Sequence, residues 1–83
     1  MHILKIDGST TELKDTSLKA MQEAVGGYIQ ELGMKDGRIM IVNEDGKRLE
    51  LPRNEKATSM VDLFFSDDYI AGNAIILEEG ECE

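Results

Sequence analysis

At 83 residues, 41% of them hydrophobic and 31% charged, the chain has room for one domain with one modest core. Its formal charge of -8 argues against direct binding to nucleic acid or membrane headgroups and in favour of basic partners. With no Trp, two Phe and two Tyr, the core has to be built from Leu, Ile, Val and Met.

Residues 2–6 alternate with β-branched character and predict a strand, with Leu4 and Ile6 on one face. Asp7-Gly8-Ser9-Thr10-Thr11 is turn chemistry. A helix then starts near Asp15, Thr16 or Ser17, any of which can cap its first amides. Leu18, Met21 and Val25 form an apolar stripe at helical spacing. At Gly26-Gly27 two readings compete. Ile29 and Leu32 keep the helical phase, which allows one helix to run to Gly33. Alternatively, one glycine takes the left-handed conformation, ends the helix, and a strand follows over Tyr28–Leu32. Two glycines inside a helix would cost about 2 kcal/mol relative to Ala, which favours the break.

Further on, Arg38–Val42 and Lys47–Leu51 flank Asn43-Glu44-Asp45-Gly46 and predict a β-hairpin whose Ile39, Ile41, Leu49 and Leu51 face one way. Pro52 ends the second of these strands. Asn54 is an N-cap candidate, with Ser59 the alternative on its capping-box spacing to Asp62. Met60, Val61, Leu63 and Phe64 predict a short helix ending at Ser66-Asp67-Asp68. Ile70–Leu77, with its unbroken Ile75-Ile76-Leu77, predicts a strand buried on both faces. Residues 1–77 therefore read as a single α+β domain, and residues 78–83 as an acidic C-terminal tail. The expected architecture is a mostly antiparallel four- or five-stranded sheet with one main helix and one short helix. Leu4, Ile6, Leu18, Met21, Val25, Ile39, Ile41, Leu49, Leu51, Phe64 and Ile76 are expected in one contiguous core.

Four signatures stand in order along the chain: Met21-Gln22-x-x-Val25-Gly26-Gly27-Tyr28-Ile29, Asn43-Glu44-Asp45-Gly46-Lys47, Leu51-Pro52-x-Asn54-x-x-Ala57-Thr58, and Ile70-x-Gly72-x-Ala74. Together they resemble the family of small bacterial, plasmid and phage proteins catalogued as domain of unknown function number 3846. The resemblance runs from about Leu18 to Leu77. It implies a strand after the glycine pair and a mobile-element setting, and it implies no chemistry.

The residues offer little to catalysis. The only Cys and the only His, Cys82 and His2, lie at opposite ends of the chain. A nucleophile–base pair would need the terminus folded back on the first strand. Cys82 has no partner for an intrachain disulfide, no opening segment resembles a signal peptide, and no apolar run approaches about 18 residues, so a cytoplasmic setting without membrane contact is expected. Neither a metal nor another cofactor is expected: His and Cys clusters are lacking, and Asp62, Asp67 and Asp68 do not follow a calcium-loop pattern.

Binding is the remaining class. Gly26, Gly27 and Tyr28 could allow close approach of a ligand, or simply stop a helix. Asn54 and Thr58 lie in a loop stiffened by Pro52, which could touch a ligand or merely cap a helix. The charge is lopsided: Ala57–Glu83 holds seven acids and no Lys or Arg, while the preceding residues hold ten acids and nine bases. Asp62, Asp67, Asp68, Glu78 and Glu79 are therefore candidates for an acidic surface. The leading expectation is a small acidic interaction protein of a mobile element that binds and modulates a basic-surfaced host protein. The alternative is a small-molecule or nucleotide-sequestering protein, with the glycine pair and the Asn54–Thr58 loop lining a pocket between the protomers of a homodimer. An enzyme would need a convergent polar constellation, which the sequence does not offer.

Overall fold

The opening alternation forms strand β1 (His2–Leu4), and the turn chemistry after it folds the chain straight back into β2 (Thr10–Glu12). Asp7 closes that turn: its Oδ1 accepts from the Ser9 amide at 2.9 Å and from Ser9 Oγ at 2.6 Å. The computed structural model describes residues 1–63 and 68–78. Helix α1 (Leu18–Val25) starts at Ser17, whose hydroxyl accepts from the Ala20 amide at 3.2 Å. Its end is set by Gly26, left-handed at φ +84°, with the amides of Gly26 and Gly27 both donating to the Gln22 carbonyl. The break reading therefore holds, and β3 (Ile29–Gly33) follows, one residue later than expected. Gly26→Val should destabilise the domain by at least about 1 kcal/mol, because a β-branched residue resists positive φ. Urea unfolding checks this, and an unchanged midpoint would contradict it.

β4 (Ile39–Asn43), α2 (Glu55–Ser59) and β5 (Ala74–Leu77) complete the described elements. The sheet is five-stranded and antiparallel throughout, in the order β2-β1-β5-β4-β3. β5 lies at its centre, with Ile75 opposite Ile3 on one side and opposite Ile41 on the other. Strand alternation divides the interior in two. Leu4, Met40, Val42, Ala74 and Ile76 pack on one face with Met34, Ala57, Val61 and Ile70. Ile41, Ile75 and Leu77 pack on the other with Val25 of α1, joined by the half-buried Met21, Ile29 and Ile39. The fold is α+β as expected, but its core is two clusters on opposite faces of the sheet.

The hairpin over residues 38–51 does not form. Both edges of β4 are occupied, by β3 and by β5, so no ladder is open to Lys47–Leu51. Those residues coil in successive turns instead: Leu49 N–H donates to Asp45 O at 2.9 Å, and Leu51 N–H to Gly46 O at 3.0 Å. Gly46 is what lets the coil pack inward, since a Cβ there would lie 2.7 Å from the Ala71 carbonyl oxygen. Leu49 is consequently 49% exposed rather than part of the core, and Leu51 is half-buried. Ile6, beyond the end of β1, and Leu18, in the first turn of α1, are exposed as well. The expected helix over Met60–Phe64 is displaced toward the N-terminus. Asn54 takes the cap, α2 ends at Ser59, and Val61 forms an antiparallel bridge with Met34. Ser59 caps nothing; its hydroxyl donates back to the Lys56 carbonyl. Phe64 lies outside the described residues.

Candidate functional site

Asn54 is fully buried and ties three segments together. Its Nδ2 donates to the carbonyls of Leu4 and Gly72, both at 3.0 Å, and its Oδ1 accepts from the Ala57 amide at 3.1 Å. Thr58 extends the pin: its hydroxyl donates to Asn54 O at 2.8 Å and accepts from the Ile70 amide at 2.9 Å. Both amide hydrogens of Asn54 are engaged within the fold. The loop that sequence reasoning offered to a ligand is thus a structural pin.

The glycine pair is also largely structural. Gly26 is the helix stop, and Gly27 runs past the side chain of buried Asn43, whose Nδ2 donates to the Val25 carbonyl at 3.0 Å. Tyr28 is 70% exposed, Gly26 is exposed as well, and Gly27 is half-buried.

Of the acidic candidates among the described residues, Asp68 and Glu78 lie apart. Asp68 lies by the coil that follows β4, where it pairs with Lys47 and accepts from the Tyr69 amide at 2.8 Å. Glu78 lies by the residue that precedes β4, with its carboxylate 3.2 Å from Arg38 Nη1 and 3.4 Å from His2 Nδ1. The five residues of β4 separate the two, a span of about 13 Å or more. Asp62 is exposed, and Asp67 and Glu79 lie outside the described residues.

A feature that sequence reasoning missed lies beside Asp68. Tyr69 is flanked by two cations, Lys47 Nζ 5.3 Å and the Arg53 guanidinium 5.1 Å from its ring centroid. A cleft of about 190 Å³ opens there, with Gln30, Leu32 and Val42 among its lining residues. Of this feature the sequence shows only a basic cluster, Lys47, Arg48, Arg53 and Lys56; Tyr69 gives no signal, being far from it along the chain. Three of these cations hold a carboxylate: Lys47 holds Asp68, Arg48 holds Asp45 at 3.1 Å, and Arg53 holds Glu55. Both cations that line the cleft, Lys47 and Arg48, are therefore paired, and the cleft is smaller than the roughly 300 Å³ at which ligand pockets begin.

Lys47, and secondarily the Tyr69 amide, hold the Asp68 carboxyl below the ordinary carboxylate range. Its contribution to stability is then fully present above the unfolded pKa and is lost as pH falls through the lowered folded one. The melting temperature of Asp68→Asn should accordingly drop less than that of the parent between about pH 7 and about pH 2. Equal drops in the two proteins would contradict this.

The chain is a small α+β domain with a helix on one face of an antiparallel sheet and several ion pairs on its surface. Among the described residues no group of three or more His, Cys, Asp or Glu could hold a metal ion, and no helix is long and apolar enough to cross a membrane. The chain belongs to the family described as Domain of unknown function (DUF3846), whose model matches residues 1–83. No curated protein and no solved structure matches it.

Proposed function

We propose that the chain is a small acidic interaction module that binds a basic surface of a host protein and modulates it, in the cytoplasmic setting of a phage or other mobile element. The observation that carries this reading is that three of the four cations of the basic cluster Lys47, Arg48, Arg53 and Lys56 are paired within the chain. Lys47, Arg48 and Arg53 are all paired with the chain's own carboxylates, as is Arg38 with Asp36 at 2.7 Å. The remaining lysines, Lys5, Lys14, Lys19, Lys35 and Lys56, are scattered over five separate segments. No concentrated positive face is left to oppose a net charge of -8. Such a field steers basic partners inward and repels polyanions. The nucleotide-sequestering alternative draws less support, because the Asn54–Thr58 loop is engaged internally and the cleft at Tyr69 is small.

The reading is tested by retaining partners from a bacterial lysate on the tagged chain, identifying them, and repeating the binding with a purified partner. Association should slow steeply with added salt, and should slow again in a Glu44→Gln, Asp62→Asn double variant. An association rate indifferent to both salt and the double variant would overturn the proposal.

A further inference from the structure

The end of α1 meets the Pro52 loop in a groove of about 230 Å³, lined by Ile6, Glu23, Ala24, Leu51, Pro52 and Asn73 among others. Three properties of this groove point the same way. It is lined mainly by apolar side chains, and Ile6 is 44% exposed although its backbone is fastened, its amide donating to Asn73 Oδ1 at 3.2 Å. That exposure belongs to the folded chain and is not fraying. The groove also carries a negative charge, since Glu23, an exposed residue of the last turn of α1, is among its lining residues. A helix end carries the equivalent of about half a negative charge on its last carbonyls. Finally, the last turn of α1 contains no basic residue, so the helix supplies no cation of its own to that end.

We propose that this groove is the docking surface of the module, and that it takes a Lys or Arg side chain flanked by an apolar one from an exposed segment of the partner. The cation sits at Glu23 against the end of α1, and the apolar neighbour covers Ile6, Leu51 and Pro52. The volume suits one or two side chains rather than a cofactor. A second copy of the chain is the poorer occupant, because two molecules of charge -8 repel. This inference rests on the interaction-module reading and adds the surface and the chemistry recognised.

The test is a titration of the ¹⁵N-labelled chain with the peptide Ac-Leu-Arg-Leu-NH₂, followed by amide chemical shifts, with Ac-Leu-Glu-Leu-NH₂ as the comparison. Saturable shifts are expected at Ala24, Gly26, Gly72 and Asn73 with the arginine peptide alone. Glu23→Lys should weaken binding by about tenfold or more, and Ile6→Ser by a similar factor. Leu18→Ser, at the opposite end of α1, should leave it unchanged. Unperturbed amide spectra of the free variants verify that each is folded. No saturable shift, equal shifts with both peptides, or shifts confined to other parts of the chain would overturn the groove assignment. Groove shifts that appear on raising protein concentration without peptide would also overturn it, by making a second copy the occupant. None of these outcomes touches the module reading, which stands or falls on the salt dependence of partner association.

Discussion

Asn54→Ala should destabilise the domain by about 3 kcal/mol or more, enough to leave much of the chain unfolded if its total stability is at the usual lower end of about 5 kcal/mol. Truncation strips the donor from two buried carbonyls, those of Leu4 and Gly72, and the acceptor from the Ala57 amide. Each buried polar group left without a partner costs roughly 1 to 3 kcal/mol, and water cannot easily enter a site where Asn54 itself is 0% exposed. Asn54→Asp should be no better, since a carboxylate cannot donate to either carbonyl and would be a buried charge. Urea unfolding monitored by circular dichroism measures both, and a loss under about 1 kcal/mol for the alanine variant would show that the pin is dispensable.

Ile75→Ala should cost about 2 to 5 kcal/mol, whereas Leu49→Ala should cost about 0.5 kcal/mol or less. Ile75 is fully buried in the central strand and packs among Val25, Ile41 and Leu77. Its removal leaves a cavity lined by strands on both sides, which have little freedom to close it. Leu49 lies half in solvent on the coil after β4 and has little burial to lose. Parallel denaturation curves for the two variants give the comparison directly. Similar losses in both would mean that the coil is a packed part of the core.

The contrast between these two residues also marks how far the sequence could be read. Ile75 belongs to an unbroken apolar run, a pattern that a strand buried on both faces produces and that few alternatives share. The Ser17 cap, the Gly26 stop and the Asn54 cap were legible for a similar reason: each depends on chemistry local to a few residues. Leu49 misled because the hairpin signal in Asn43-Glu44-Asp45-Gly46 says only that the chain can turn. Whether a strand follows depends on a free edge beside β4, and β3 and β5 arrive there from distant parts of the sequence. β2 was missed because Thr10–Glu12 is exposed throughout and carries no apolar alternation. The candidate site was the least legible part. Carboxylates close in sequence, such as Asp68 and Glu78, fold to opposite ends of β4, while Lys47, Arg53 and Tyr69 converge from separate segments.

The central place of β5 has a consequence for the route by which the fold is reached. β1 with β2 and β3 with β4 are hairpins that can form locally, within about 1 to 10 microseconds. Neither touches the other in the sheet; only β5 joins them, through ladders to β1 on one side and to β4 on the other. The two hairpins are therefore joined in the sheet only by the pairing of Ala74–Leu77 with both, contacts that close long loops. Folding should accordingly be slow for so short a chain, with its rate governed by the pairing of those four residues rather than by the growth of either hairpin.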